Sequence, residues 1–219
     1  MKIQCVGIVG AGTMGAALSQ KFAQEGLEVL IVDREEKFLA KGLSNIKSTL
    51  EEGVSRRIFT TERVTEILGK ISPTTDLSRL VNCQLIIEAV FEDLNVKNGL
   101  FRHISSIVPE DTILASNTSS FSISELARAV SHPERFLGLH FFFHAAKNRL
   151  VEIVKGDKTS EQVFDNMMQF MQRIGKDPIV CKDAHGFVVN RFFVPWLNEA
   201  VRIYEEGIAD IAAIETAAC

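Results

Sequence analysis

Short apolar runs alternate with stretches of helical periodicity along most of this chain. The apolar runs predict β-strands, and the periodic stretches predict amphipathic α-helices. This alternation is typical of an α/β fold with a doubly wound, mostly parallel sheet of the Rossmann type. The predicted strands are Ile3–Val9, Leu27–Val32, Lys70–Pro73, Gln84–Val90, Thr112–Ser116, Phe136–Phe142, Leu150–Val154 and Pro178–Lys182. The predicted helices lie near 13–25, 35–52, 61–68, 94–107, 122–129 and 160–174.

The pattern changes after residue 186, where long helical periodicity replaces the alternation. We therefore expect a Rossmann-type domain over 1–186, with a pair of helices projecting from the sheet near 35–68. The segment 187–219 predicts the beginning of an all-helical second domain. Its apolar helical face stops at residue 219 without a cap or turn, so this domain is expected to be incomplete.

The composition is that of an ordinary globular protein with a formal net charge of −4. This charge argues against nucleic acid as a partner, and no apolar stretch approaches the ~20 residues that cross a bilayer. A strand pattern begins at the N-terminus without a signal peptide, which favours a cytoplasmic protein. Four widely separated cysteines form no C-x-x-C pair, so we expect small buried side chains, no metal site and no disulfide. They are Cys5, Cys83, Cys181 and Cys219.

A glycine-rich segment lies between the first predicted strand and the first predicted helix. Gly10 permits a tight turn, Gly12 permits the backbone to approach a pyrophosphate, and Gly15 permits close packing of helix and strand. The helix N-terminus then presents N–H groups to phosphate. The segment predicts a dinucleotide site, and the alternative is a glycine-rich turn that binds nothing. Its residues are Gly10, Ala11, Gly12, Thr13, Met14 and Gly15.

An acidic residue, Asp33, follows the second predicted strand, 18 positions after Gly15. A carboxylate at this place accepts hydrogen bonds from an adenosine ribose and repels a 2′-phosphate. The sequence therefore favours NAD over NADP as the cofactor. Arg34, next to Asp33, weakens the preference for NAD over NADP without reversing it.

A histidine and a glutamate lie on consecutive apolar strands. His140 is near the end of the first strand, and Glu152, 12 residues later, is flanked by Val151 and Ile153. Because side chains alternate along a strand, Glu152 points away from both neighbours, and a buried carboxylate needs a partner. His140 supplies one, and the pair predicts a general base that accepts an alcohol proton. The alternative is a histidine that is satisfied within the core.

Two further polar segments favour the interpretation of His140 as a catalytic base over that of a core histidine. Ser119 lies in a Ser/Thr-rich segment after a predicted strand, where an open parallel sheet presents its ligand-binding loops. Asn190 lies where the second domain begins. The alternatives are a helix cap for the first segment and a surface amide for Asn190.

Together these residues resemble the L-3-hydroxyacyl-CoA dehydrogenase family. The match runs in order over essentially the whole chain. Short-chain relatives that oxidise 3-hydroxybutyryl-CoA share it, as do the dehydrogenase parts of multifunctional fatty-acid oxidation proteins. The matching segments are GAGTMG, VDREE, IIEAVFEDLNVK, SNTSS, GLHFF, LVEIV and CKDAHGFVVNR.

The resemblance implies a role for each residue that matches a family motif. His140 is implied as the catalytic base and Glu152 as its carboxylate partner. Ser119 is implied to bond the substrate oxygen close to the nicotinamide, and Asn190 to contact the acyl portion.

The resemblance also implies cofactor and CoA contacts. Asp33 is implied to hold the adenosine ribose, while Glu92 and Lys97 line the NAD site. Thr49 and Arg56 fall where the family's helical projection meets CoA, and an arginine there suits a phosphate-bearing ligand. The alternative for both is an ordinary solvated helix residue.

The chain departs from the family pattern beside the predicted base. Where the family continues with Asn-Pro, this chain has Phe143 and His144, and His185 stands where the family commonly has proline. Our hypothesis is that Phe143 and His144 reshape the acyl pocket toward a different or bulkier chain. The alternative is drift within a subfamily with little consequence.

The resemblance implies reversible oxidation of an L-3-hydroxyacyl-CoA to its 3-ketoacyl-CoA with NAD, by a homodimer when full-length. Two alternatives stay open. One is an NAD-dependent dehydrogenase of a free hydroxy acid, which the CoA dependence of the rate would separate. The other is a catalytically impaired nucleotide-binding relative, which NADH binding without turnover, even in the full-length protein, would indicate.

Overall fold

A computed structural model describes residues 2–218 and places eight strands in one sheet. The strands are β1 (Cys5–Val9), β2 (Glu28–Val32), β3 (Ile71–Thr74), β4 (Leu85–Glu88), β5 (Ile113–Ser116), β6 (Phe136–Phe141), β7 (Leu150–Lys155) and β8 (Asp177–Lys182). Their order is β3-β2-β1-β4-β5-β6-β7-β8. All neighbours are parallel except β6 and β7, which are antiparallel. The predicted α/β class with a mostly parallel sheet is confirmed.

Helices cover both faces of this sheet. The α-helices are α1 (Thr13–Gln24), α2 (Glu36–Ser55), α3 (Thr61–Gly69), α4 (Leu94–Ile107), α5 (Ile123–Leu126), α6 (Glu161–Arg173), α7 (Val189–Glu205) and α8 (Ile211–Ala218). Short 3-10 segments lie at Leu77–Asn82, Ala127–Ala129 and Pro133–Arg135. Several helices begin at a side chain that accepts a hydrogen bond from a backbone N–H of the first turn, which fixes their starting points. These capping residues are Thr60, Asp93, Ser122 and Ser160.

The apolar core is divided between the two faces of the sheet. Because successive side chains of a strand point to opposite faces, Ile8 packs in a cluster with Phe22 of α1, while Val9 packs in a second cluster with Phe101 of α4. Near-continuous apolar strands are therefore required, since both faces are covered.

The connection between β6 and β7 accounts for the antiparallel pair. It spans only residues 142–149, which is too short for the crossover that parallel neighbours need. The chain therefore turns back on itself. As a result, residues 12 apart in sequence become direct cross-strand partners, among them His140 and Glu152.

The predicted elements exist, and most of their boundaries move by a few residues. The first strand begins at Cys5 rather than Ile3, and the helix predicted over 35–52 continues to Ser55. The helix predicted over 122–129 is a short α-helix followed by a 3-10 turn. Propensity does not fix such ends, because tertiary contacts decide where a terminal turn stops.

The predicted burial of the cysteines is found for two of the three described ones. Among the described residues none is in a disulfide, and Cys83 and Cys181 are buried, whereas Cys5 is half-buried. The Cys5 and Cys83 Sγ atoms lie 3.4 Å apart, a contact that the sequence separation conceals. Cys219 lies outside the described residues.

The helices after residue 186 carry no buried residue. Their exposed apolar side chains include Phe192, Phe193, Val194, Trp196, Leu197, Val201, Tyr204, Ile208 and Ile211. None of the helices described within residues 2–218 is both long enough and apolar enough to span a membrane.

Candidate active site

The turn between β1 and α1 is built for close approach of backbone. Gly10 has φ of +107°, and a Cβ there would lie 2.5 Å from the Ala89 carbonyl oxygen. A Cβ on Gly15 would lie 1.8 Å from the Gly10 carbonyl oxygen, so only glycine fits. By contrast, a Cβ on Gly12 would have no atom within 4 Å. The tight turn and the close helix packing predicted for this segment are present, and Gly12 faces open space.

The groups around this turn fit a dinucleotide. The N-cap residue of α1 is Gly12, which provides no side-chain cap, so the first N–H groups of the helix are available to an anion. Asp33 follows β2 and accepts hydrogen bonds from the backbone N–H of Ala11 at 2.7 Å and of Arg34 at 2.7 Å. The carboxylate therefore fixes the glycine turn, and its remaining lone pairs can accept from a ribose hydroxyl.

Helix α2 passes close to the same turn. A Cβ on Gly42 would lie 2.7 Å from the Ala11 carbonyl oxygen, so the helix approaches the turn as closely as backbone allows. The helical pair predicted to project near 35–68 is thus anchored on the nucleotide turn at one end. Thr49 lies two turns after Gly42 on α2. Arg56 follows the last residue of α2, is exposed and forms an ion pair with Glu52.

A buried carboxylate at the end of β4 was missed by the sequence analysis. Glu88 is fully buried and accepts from Lys97 Nζ at 2.6 Å, Ser116 Oγ at 2.6 Å and the Val90 N–H at 2.7 Å. Every bond goes to a different segment, so Glu88 joins β4, α4 and the end of β5. The signal was a glutamate directly after two isoleucines, with a lysine nine positions later.

Lys97 connects this buried carboxylate to the predicted cofactor residue Glu92. Its side chain is 1% exposed, and Nζ lies 3.0 Å from Glu92 Oε2. The Glu92 carboxylate also accepts hydrogen bonds from the Thr118 and Ser120 hydroxyls and the Ser119 N–H. Burial raises the pKa of Glu92, but Thr118 and Lys97 outweigh it and leave the pKa below its usual value. Lys97 therefore supports Glu92 from beneath rather than presenting its own amine at the surface.

The predicted contact between His140 and Glu152 is present. His140 Nδ1 lies 2.6 Å from Glu152 Oε2, and both side chains are buried. The other oxygen, Oε1, accepts from the backbone N–H groups of Val188 and Val189, each at 2.9 Å. The carboxylate thus holds the imidazole with one oxygen and the beginning of α7 with the other. This arrangement leaves Nε2 as the imidazole nitrogen that is free to face a substrate.

Aromatic rings enclose the imidazole. The His140 ring centroid lies 4.5 Å from that of Phe142 and 5.8 Å from that of Phe187. Because β6 is parallel to β1, β4 and β5, the carboxyl ends of these strands lie on the same side of the sheet. The end of β6 is therefore on the side where the glycine turn follows β1. The fold therefore collects the predicted base and the predicted nucleotide site at one edge.

The two remaining catalytic candidates also meet. The Asn190 amide donates a hydrogen bond to the Ser119 carbonyl oxygen at 3.1 Å, which joins α7 to the loop after β5. Asp183, missed by the sequence analysis, reinforces this junction by accepting from the N–H groups of Ile123 and Ser124. Burial raises the pKa of Asp183, but the hydrogen bonds from Ser124 outweigh it and leave the pKa below its usual value.

A cavity of about 240 Å³ lies between α1, α2 and the loop after β6. Phe143 and His144, the residues that depart from the family pattern, form part of its wall. Gln20 contributes a buried Oε1 that has no hydrogen-bond partner among the described residues. The full lining is Thr13, Ala16, Ala17, Gln20, Asn45, Ile46, Ser48, Thr49, Phe143 and His144.

The second imidazole differs from the first in its environment. His144 Nδ1 accepts a hydrogen bond from the Ala146 N–H at 3.2 Å. Burial and the charge of Lys147 lower the pKa of His144, which favours the neutral ring near pH 7. No carboxylate orients it in the way that Glu152 orients His140 among the residues that the structure describes.

The fold and the site define a dinucleotide-binding domain with a carboxylate-supported histidine at its ligand edge. Two family models match the chain: the 3-hydroxyacyl-CoA dehydrogenase NAD binding domain at residues 5–184, and the C-terminal domain of the same family at residues 186–219. The chain belongs to the 3-hydroxyacyl-CoA dehydrogenase family, and its cofactor is NAD.

Similar proteins agree with this assignment. The chain is 39% identical to the mitochondrial hydroxyacyl-coenzyme A dehydrogenase of Homo sapiens, over 98% of this chain and 70% of that protein. It is 38% identical to the 3-hydroxybutyryl-CoA dehydrogenase of Clostridioides difficile, over 96% and 75%. The crystal structure of (S)-3-hydroxybutyryl-CoA dehydrogenase from Ralstonia eutropha superimposes with a TM-score of 0.92 at 37% identity, over 97% and 75%.

Proposed function

We propose that this protein oxidises an L-3-hydroxyacyl-CoA to the 3-ketoacyl-CoA with NAD, and catalyses the reverse reaction. The observation that carries the proposal is the buried His140–Glu152 pair at the ligand edge of an NAD-binding sheet. The pair supplies the proton acceptor that an alcohol oxidation needs. The relatives named above act on substrates of this class.

The proton is taken by His140. The substrate hydroxyl donates to Nε2, since Nδ1 is held by Glu152, and the O–H bond breaks as the carbonyl forms. The imidazole then carries a positive charge in an apolar enclosure, and the carboxylate 2.6 Å away stabilises it. In the reverse direction the same nitrogen returns the proton to the developing alkoxide.

NAD, when bound, supplies the hydride acceptor. The residues that fit it are the glycine turn, with the open space beside Gly12, and the Asp33 carboxylate at the end of β2. Glu92 would line the NAD site, with Lys97 supporting it from beneath through the Glu88 network. These residues bind and orient, which brings the reacting atoms into place.

The substrate would lie across the junction of the two helical regions. Ser119 would bond the reacting oxygen, and Asn190 would contact the acyl portion from the beginning of α7. Thr49 lines the cavity and Arg56 lies beyond it, so we propose that the CoA arm follows α2 toward Arg56. An arginine suits the CoA phosphates.

Three finer proposals accompany this function. The division into domains falls at residue 186, at the turn before α7. The full-length protein acts as a homodimer, which the exposed apolar side chains of α7 support. It works in the cytoplasm without nucleic acid or membrane as a partner, which the net charge of −4 and the free cysteines support.

The test is NADH oxidation by the purified protein with acetoacetyl-CoA, longer 3-ketoacyl-CoAs and free acetoacetate. We expect turnover with the CoA thioesters and at least about a hundredfold lower kcat/KM with free acetoacetate, because the CoA contacts are lost. Equal rates with the free acid would favour the hydroxy-acid alternative. NADH binding without turnover on any of these would contradict the proposal.

A further inference from the structure

A lysine is buried behind the loop that carries Phe143 and His144. Lys176 precedes β8 and is 3% exposed. Its Nζ donates to the Asn148 carbonyl oxygen at 2.7 Å and to the Ala145 carbonyl oxygen. The ammonium also lies 5.4 Å from the centroid of the Phe141 ring. All of these partners belong to β6 or to the connection between β6 and β7.

Within residues 2–218, no Asp or Glu carboxylate forms an ion pair with Lys176. Besides burial, Lys21 of α1 lowers the pKa of Lys176, and Glu25, just after α1, raises it; Lys176 in turn lowers the pKa of His144. A buried ammonium without a carboxylate is costly. A neutral side chain would pack there at lower cost if only packing were needed, so the cation serves the carbonyl groups that it holds.

The 142–149 loop depends on the Lys176 ammonium as a hydrogen-bond donor. Within it, the N–H groups of Lys147 and Asn148 both donate to the His144 carbonyl oxygen at 2.8 Å. The Ala145 and Asn148 carbonyl groups accept hydrogen bonds from Lys176, and Ala145 is fully buried. Because the ammonium has three donors, it can hold two carbonyl groups at once and fix the loop from behind.

We propose that Lys176 is a positioning residue for the acyl-CoA reaction, which fixes the 142–149 loop so that Phe143 and His144 form one wall of the substrate cavity. The inference rests on the proposed function, because the cavity matters only if the thioester occupies it. Lys176 acts through the loop and does not touch the reacting atoms. Its loss therefore affects the binding of acyl-CoA more than the binding of NADH, whose site lies on β1, β2 and β4.

The test compares Lys176→Met with Lys176→Arg and with a control, Lys158→Met, at an exposed lysine beyond the opposite end of β7. Acetoacetyl-CoA turnover by the wild type is measured first, since its absence would overturn the proposed function itself. For Lys176→Met we expect KM for acetoacetyl-CoA to rise about tenfold or more, because a misplaced loop loses contacts at the reacting end. NADH Kd should stay within about twofold, and Lys176→Arg should recover part of the loss.

A pH series keeps the proposal testable if Lys176→Met does not fold. Burial lowers the pKa of Lys176 to about 8, whereas an arginine stays charged throughout. We expect the wild-type KM for acetoacetyl-CoA to rise above pH 8 relative to that of Lys176→Arg. Parallel KM profiles, or a Lys176→Met variant that loses thermal stability while KM is unchanged, would overturn the positioning role.

Discussion

Glu152 lies directly opposite His140 in the antiparallel β6–β7 pair, with Oε2 2.6 Å from Nδ1. The same carboxylate accepts from the N–H groups of Val188 and Val189 at the beginning of α7. One buried charge therefore fixes the orientation of the imidazole and the position of the helix that carries Asn190. This relationship explains how a short antiparallel turn in an otherwise parallel sheet creates the site.

Replacing Asp33 with asparagine should weaken the preference for NADH over NADPH. The carboxylate charge repels a 2′-phosphate, whereas an amide of the same shape does not. We expect the ratio of the NADPH Kd to the NADH Kd to fall about tenfold, measured by fluorescence titration. Glu36→Gln, which removes a nearby exposed charge, should leave the ratio unchanged. An unaltered ratio in Asp33→Asn would exclude this residue from cofactor discrimination.

Replacing Lys97 with methionine should destabilise the fold. The substitution leaves the Glu88 carboxylate buried without its cation, and breaking a buried pair in this way costs about 3–5 kcal/mol. Urea unfolding followed by circular dichroism measures the change in the free energy of unfolding. The exposed Lys47, paired with Glu51 on α2, provides the control, since Lys47→Met should cost at most about 1 kcal/mol. Equal effects for the two variants would show that the buried network contributes little to stability.

The buried Lys176 should make stability depend on pH in the alkaline range. Burial lowers its pKa from 10.5 to about 8 in the folded protein, so between these values the unfolded chain binds more protons. The free energy of unfolding contributed by this group therefore rises with pH from about 8 to 10.5. The measurement is the difference in the free energy of unfolding between wild type and Lys176→Met at pH 7, 9 and 10.5. If the free energy of unfolding of the wild type does not increase relative to that of Lys176→Met between pH 8 and 10.5, the lowered pKa of Lys176 is contradicted.

Replacing Phe143 with asparagine tests whether the departure from the family pattern sets substrate choice. Phe143 is 65% exposed and lines the cavity together with His144, so removing its ring changes the space next to the base. We expect the order of kcat/KM across acyl-CoA substrates of different length and shape to change. The thermal midpoint should change little, because an exposed side chain buries little apolar area. An unchanged selectivity profile would favour drift without consequence.

The sequence predicted those parts of the fold and site that depend on local pattern. The glycine turn, Asp33 and the alternation around Glu152 follow from spacing and strand periodicity, and the structure has the turn, the position of Asp33 and the His140–Glu152 contact. Glu88 was missed although Val90 and Lys97 are near it in sequence, because its burial and its contact with Ser116, 28 residues later, arise only when β4, β5 and α4 pack together. The sequence analysis also missed Lys176 and the Cys5–Cys83 contact. The burial of a polar group and contacts between distant residues can be recognised only when the packing of the elements is known.

The most direct test of the account is His140→Gln, with turnover and NADH affinity measured on the same preparation. Glutamine can neither take the hydroxyl proton in the oxidation nor return it in the reduction, so kcat for acetoacetyl-CoA reduction should fall about a thousandfold. NADH Kd should stay within about twofold, since the nucleotide turn is untouched. His103→Gln, at an exposed histidine, should behave as wild type. Retained turnover, or loss of NADH binding together with turnover, would contradict the assignment of His140 as the base.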